Sequence, residues 1–521
     1  MNQQIQQSRI GTPLWIGLAL LAVLVATSAL LAQARVDVGT LMVRYRAQKR
    51  IKQPDGELLK ALEALEQQAL AYYSRGKTGE IRRLLGKGLR LLNGKEWNQQ
   101  TDFLNSLTLR TDMTVCDPNK RLIGRVAQVY PSDYDNTNRL KIRVSLAEPT
   151  RRRRQLGAGK ILMDLGVFSP LPRDLLDTPF AFEVDIADAG EGVFALSVEV
   201  TDGDTVIHRM ATPLYVVRDL DSKRIDFTTR LNAISDSEGT KASIRYPFQL
   251  ASLVNLGRVQ PRFTYDWISM LQEAESLLNS FEEGEDPLKG AVGDTRRHYY
   301  LDEADEIIPY RLYVPSSYDG STPFPLIVVL HGLGGTENTF FERGAGLLPS
   351  LCEQHGYILA APMGYRVNGG YGRGKNSPLA ERRRLSELSE KDVMSVLSLV
   401  RNEYLIDGHR IYLTGHSMGG NGTWHLAAEY PDLWAAIAPC ASGSVTPDNI
   451  DISSIQRLPV LVIHGDADMV APVTASRSMV AKMMELGMEY EYIEVPGGTH
   501  NSVVNSNLPK VVEFFNRHRK E

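Results

Sequence analysis

Cysteine is scarce: three residues in 521, at Cys116, Cys352 and Cys440. So few and scattered thiols exclude a disulfide scaffold and a zinc site; one bridge at most is available, and Cys440, just past an apolar run, reads as a buried free thiol. A surplus of one charge is missing too. Asp and Glu number 62 against 58 Lys and Arg, a formal net charge of −4, which gives no general electrostatic basis for binding nucleic acid. The one basic run, Arg151 to Arg154, lies between two β-like segments and reads as a solvated loop. No dominant repeat or biased tract occurs, and the region before Gly293 shows none of the repeated blades of a β-propeller. What remains is ordinary globular composition, 43% hydrophobic and 23% charged, long enough for several domains.

Only one long hydrophobic run is present, Leu14 to Ala32, preceded by Arg9 and followed by Ala32-Gln33-Ala34. That is the layout of a secretory signal with cleavage before Arg35, but the run is close to the ~20 residues that span a bilayer. Residues 1–34 are therefore a signal peptide or an uncleaved N-terminal anchor. No cysteine follows to accept lipid, and membrane contact is expected only through this segment. In either case the body of the protein is exported, to the periplasm or beyond.

Residues 35–110 read as helical: Leu58, Leu59, Leu62, Leu65 and Ala69, then Ile81, Leu84, Leu85, Leu89, Leu91 and Leu92, recur at helical spacing. Residues 111–218 change to alternating strands such as Leu140–Leu146 and Val193–Val200, with turn residues at Asp202-Gly203-Asp204. They suggest a small β-sandwich of immunoglobulin-like size. Residues 219–290 return to helix, with Trp267, Met270, Leu271, Ala274, Leu277 and Leu278 on one face, and end in a polar, Gly- and Pro-bearing stretch that reads as a linker. From 291 to 521, continuous apolar segments at 325–330, 358–362, 411–414, 435–439 and 460–464 alternate with helical patterns, including 392–405 and 474–486. Unbroken apolar strands separated by helices predict a doubly wound α/β domain with a mainly parallel sheet.

The chemically suggestive residues follow those strands, where such sheets gather functional groups. Gly415-His416-Ser417-Met418-Gly419-Gly420 follows one strand and opens a helix, a turn that lifts a serine hydroxyl out of the sheet. A serine hydroxyl needs a base and an orienting acid. His500, after the strand ending at Val495, is the candidate base; Asp468 is the candidate acid, with Asp466 two residues earlier as a rival that would be a turn-capping residue if Asp468 is the acid. His331-Gly332-Leu333-Gly334-Gly335, after the strand ending at Leu330, supplies a glycine-rich loop whose Leu333 amide, with that of Met418, forms the candidate oxyanion hole. His331 is expected to hold the loop. Nothing in this chemistry calls for a cofactor or a metal.

The stretch Leu413–Ala427, with Ala438–Gly443 and His464–Asp468 after it and Ile308–Tyr318 before it, resembles the exported esterase/predicted-peptidase branch of the prolyl-oligopeptidase-like α/β-hydrolases. More loosely it is similar to feruloyl esterases and polyhydroxybutyrate depolymerases. The resemblance covers the C-terminal part of the chain and implies a serine carboxylic-ester hydrolase. Some members carry an immunoglobulin-like domain ahead of the catalytic one. A serine peptidase and an inactive surface binding protein are the alternatives. About thirty residues separate Pro439 from Asp468, room for a helix and a strand but not an inserted lid, so the site is expected to be open to soluble small-molecule or polymer-linked esters. The loop after Ala361 offers Tyr365 and Tyr371 for stacking on an aromatic acyl group or sugar, and Arg366 or Arg373 for an acidic group; a glycine-rich surface loop that binds no ligand is the alternative.

Overall fold

The computed structural model describes residues 38–73, 75–152, 155–234, 238–260 and 265–521. The expected targeting segment, 1–34, lies outside them, and no helix among the described residues is long and apolar enough to cross a membrane. The chain divides into two units whose segments interleave. One holds Ala61–Leu220 and Leu250–Ile268, with the described residues before Met42; the other holds Met42–Lys60, Asp221–Gln249 and Ser269–Glu521.

In the first unit, the helix Gly56–Tyr73 from Ala61 onward and the helices Thr78–Leu92 and Gln99–Ser106 precede the strands. Leu62, Leu65 and Ala69, then Ile81, Leu85 and Leu92, are buried on successive turns, as their spacing requires. The strands are β1 (Leu107–Thr111), β2 (Val115–Cys116), β3 (Leu122–Gln128), β4 (Leu140–Arg152), β5 (Gln155–Phe168), β6 (Phe180–Val184), β7 (Gly192–Asp202) and β8 (Thr205–Val216). They make two sheets, ordered β1-β3-β6 and β2-β8-β7-β4-β5. Val126 and Phe182 of one sheet share a core with Val144, Leu196, Val198 and Leu214 of the other, which makes this a two-layer sandwich. Arg151 and Arg152 belong to β4, which pairs antiparallel with β5, and the rest of the basic run lies outside the described residues.

The second unit carries β9 (Gly293–Leu301), β10 (Glu306–Val314), β11 (Phe324–Leu330), β12 (Ile358–Pro362), β13 (Ile406–His416), β14 (Ala436–Cys440), β15 (Val460–Gly465) and β16 (Tyr490–Val495), in the order β16-β15-β14-β13-β11-β12-β10-β9. β9 and β10 run antiparallel, and β10 is antiparallel to β12; every pair from β12 to β16 is parallel. Both faces are covered. Leu326, Val328 and Leu330 pack with helices Ala380–Glu403, Met418–Glu429 and Val473–Glu485; Ile327 and Val329 pack with Leu347–His355 and Leu508–Arg517. This is the doubly wound, mainly parallel α/β arrangement expected from the unbroken apolar strands.

Two expectations need correction. The catalytic unit does not begin at 291: Met42–Lys60, Asp221–Gln249 and Ser269–Gly290 belong to it. The segment 282–290 is not a free linker, because Asp286 accepts from Thr240 Oγ1 (2.6 Å), the Leu288 carbonyl accepts from Arg297, and the Gly290 amide donates to Glu403 (2.7 Å). Gln249 further pairs its side-chain amide with the carbonyl and amide of Ile307 on β10 (2.9 and 2.8 Å). Second, residues 441–459, between β14 and β15, hold one 3-10 turn (Ser453–Ile455) and no α-helix, where a helix was expected.

Candidate active site

Ser417 stands between β13 and the helix Met418–Glu429 with φ 60° and ψ −112°, a conformation a side-chain-bearing residue adopts only under constraint. The constraint is visible. The Ser417 amide donates to the Cys440 carbonyl at the end of β14 (2.9 Å), and a Cβ on Gly419 would collide with the Leu330 carbonyl, so the elbow closes only because glycine stands there.

His500 follows β16, and its Nε2 lies 2.9 Å from Ser417 Oγ while its Nδ1 donates to Asp468 Oδ2 (2.6 Å). Both His500 and Asp468 are largely buried, at 9% and 7% exposure, which strengthens their interaction relative to water. The other Asp468 oxygen accepts from the amides of Val470 and Ala471, each at 2.8 Å. Burial works against ionisation of Asp468, but hydrogen bonds from His464, His500 and the Ala471 amide outweigh it and hold the carboxyl well below the usual carboxylate range. The rival Asp466 is exposed and accepts from the Gly497 amide (2.7 Å), which makes it a turn-capping residue.

Sequence reasoning missed three supporting contacts. His416 Nε2 donates to the His500 carbonyl (2.7 Å), and burial, with His500 alongside, pushes its imidazole down to about 3. His464, fully buried, donates to the Ala471 carbonyl (3.0 Å) and lies 3.4 Å from Asp468 Oδ2. Arg50, on the helix Val38–Lys52, donates to the Met469 carbonyl beside the acid (2.6 Å). The Gly415–Gly420 motif could have flagged His416; no local signal pointed to Arg50.

The loop His331–Gly335 passes beside the serine: a Cβ on Gly332 would sit 3.3 Å from Ser417 Cβ. Gly334 donates to the Val367 carbonyl and Gly335 to the Gly332 carbonyl, both at 2.8 Å. His331 Nε2 donates to the Met363 carbonyl (2.7 Å). The Leu333 amide thus lies in a braced loop, and that of Met418 in the first turn of a helix, whose amides have no acceptor within the helix.

The loop after β12 is not the stacking surface the sequence suggested. Tyr371 is fully buried and donates to the His331 carbonyl (3.1 Å), so its ring is closed to a ligand. Arg366 pairs with the buried Glu306 carboxylate (2.5 Å) and stacks over Tyr365, its guanidinium 4.0 Å from the ring centroid. The groups that engage them, the His331 carbonyl for Tyr371 and Glu306 for Arg366, lie 40 and 60 residues away in sequence. Arg373 donates to the carbonyls of Ser444 and Asn449. All three thiols are buried and free, and burial raises Cys116 and Cys440 to about 12. Among the described residues no group of three or more His, Cys, Asp or Glu is placed to hold a metal ion.

The PET hydrolase-like family matches residues 383–517. Cutinase 2 of Thermobifida cellulosilytica is 33% identical over 126 residues, covering 24% of this chain and 45% of that protein. A bis(hydroxyethyl) terephthalate hydrolase of Streptomyces coelicolor is 27% identical over 244 residues, covering 45% of this chain and 71% of that protein. The chain thus spans less than half the length of the cutinase. Among solved structures, a thermostable esterase is similar at 18% identity and a TM-score of 0.37, covering 80% of this chain and all of that one. A ferulic acid esterase from Anaeromyces mucronatus is similar at 18% identity and a TM-score of 0.36, covering 43% and 90%.

Proposed function

We propose that this chain is a serine hydrolase that cleaves carboxylic esters through an acyl-enzyme. The observation that carries the reading is the line from Asp468 through His500 to Ser417 Oγ, with contacts of 2.6 and 2.9 Å. Ser417 Oγ attacks the ester carbonyl as His500 Nε2 takes its proton, and Asp468 holds the imidazole and stabilises its charged form. The amides of Leu333 and Met418 receive the oxyanion; such donors are worth about 2.7–4 kcal/mol each to the transition state. Collapse releases the alcohol with the proton from His500, and water repeats the sequence to free the acid and Ser417.

The substrate class is an ester of an aromatic or polymer-linked acid, or one carried on a carbohydrate. The cutinase and the terephthalate-ester hydrolase among the similar proteins support the first two. Export follows from the N-terminal apolar segment, as a periplasmic, secreted or anchored protein, and the sandwich is an immunoglobulin-like accessory domain. Labelling of the full chain by a fluorophosphonate probe, lost in Ser417→Ala, tests the enzyme reading against an inactive binding protein. A panel of p-nitrophenyl, feruloyl and acetyl-sugar esters beside peptide amides tests the substrate class. Turnover of peptides at rates matching the esters would put a peptidase in its place.

A further inference from the structure

The segment 363–374 gives no side chain to the Ser417–His500–Asp468 line, yet the oxyanion loop rests on it. Three bonds join them: Gly334 N–H to the Val367 carbonyl (2.8 Å), His331 Nε2 to the Met363 carbonyl (2.7 Å) and the Tyr371 hydroxyl to the His331 carbonyl (3.1 Å). The segment is itself strained, with φ 60° at Tyr365 and 51° at Tyr371, so something must hold it.

The holding groups are on the helix Ala380–Glu403. Ser386, Ser389 and Asp392 stand three residues apart on its inner side, and each is at most 1% exposed. Each accepts a backbone N–H from the segment: Ser386 Oγ from Gly374 (2.6 Å), Ser389 Oγ from Tyr371 (3.0 Å) and Asp392 Oδ2 from Tyr365 (2.7 Å). The second Asp392 oxygen accepts from the Tyr299 hydroxyl on β9 (2.7 Å). A carboxylate wholly removed from water is costly unless donors surround it, and apolar residues would pack this face at less cost. Its donors here include the strained turn that precedes Val367.

We propose that Ser386, Ser389 and Asp392 form a positioning stripe that fixes the Leu333 amide, so that Asp392 governs transition-state stabilisation without touching substrate. The inference rests on the ester hydrolase reading above. Leu333 is set between Gly332, packed against His416 and Ser417, and Gly334, tied to Val367. Loosening the second attachment shifts an amide that acts on the oxyanion and not on the bound ester, so the loss falls on kcat rather than KM.

The test uses the full chain at pH 8 with a small p-nitrophenyl ester, and phenylboronic acid as a mimic of the tetrahedral intermediate. Asp392→Asn is expected to lower kcat about tenfold or more with KM within about twofold, and to weaken boronate binding in step with kcat/KM, because both depend on the same amides. Ser389→Ala and Tyr371→Phe each remove one bond of the same path without burying a new charge, and are expected to lower kcat a few-fold with KM unchanged. If Asp392→Asn does not fold, these two decide on the same terms. Values of kcat and boronate affinity within twofold of wild type in every folded variant would overturn the stripe while leaving the esterase standing, as would a loss confined to KM. A wild type without esterase activity would overturn both.

Discussion

At the scale of single residues, the buried carboxylates divide by what surrounds them. Asp468 is hydrogen-bonded by two histidines and two amides and stays ionised; it orients His500. Ser417→Ala and His500→Ala are expected to lower kcat by about six orders of magnitude and Asp468→Asn by about four, with double variants no worse than the worst single one, because the three act as a unit. Asp466→Asn should change kcat little; a crippled Asp466→Asn beside a mild Asp468→Asn would reassign the acid. Asp392 differs in sign. Burial pushes its carboxyl up to about 6, although Tyr299 and the amides of Tyr365 and Gly364 pull it down. Between the ordinary carboxylate range near 4 and about 6, the folded chain therefore holds a proton that the unfolded chain has lost, and the contribution to stability declines as pH rises through that window. The stability of wild type relative to Asp392→Asn, from urea midpoints, should fall between pH 4 and 6 and level off above 7; a constant difference would remove the claim. The depressed Asp468 carboxyl acts in the opposite sense, its contribution being present above the ordinary carboxylate range and lost as pH falls.

At the scale of elements, legibility followed the kind of burial. β11 is apolar on both faces and announced itself, and the glycines around Ser417 marked the elbow because no other residue lets those backbones meet. Gly419→Ala forces a methyl against the Leu330 carbonyl and should destabilise the fold by about 1–3 kcal/mol while displacing Ser417, whereas Gly408→Ala, with nothing near its Cβ, should be close to neutral. Equal melting temperatures and activities for the two would show that the elbow has slack. The helix Ala380–Glu403 was expected only from 392, since its first half carries charge outward and the buried polar residues Ser386, Ser389, Glu390 and Asp392 inward. Hydrophobic periodicity cannot report a helix whose inner face binds backbone amides. Tyr371 and Arg366 were misjudged for a related reason: loop composition shows what a side chain could bind, but not that the His331 carbonyl and Glu306 already occupy it.

At the scale of the whole molecule, the sequence suggested a catalytic domain that starts at 291, and the chain does not divide there. Composition marks a polar, Gly-bearing stretch, but the bonds that fasten it come from residues far along the chain. Removing everything before Ala291 takes away the side chain of Gln249, which satisfies both the amide and the carbonyl of Ile307. It removes the Leu288 carbonyl that accepts from the buried Arg297, and Ser243 and Tyr246, which cover His298. It also removes Arg50, which holds the Met469 carbonyl next to Asp468. A buried polar group left without its partner costs about 1–3 kcal/mol, so several together rival the roughly 5–15 kcal/mol that keeps a domain folded. The chain 291–521 is therefore expected to be largely insoluble, or to melt well below the full-length protein and turn over p-nitrophenyl esters more slowly per fluorophosphonate-labelled serine. The comparison is calorimetry and active-site titration on the two proteins side by side. A truncated chain that unfolds cooperatively at the full-length temperature and matches its activity per labelled site would show that these earlier segments only decorate the sheet, and would restore the boundary at 291.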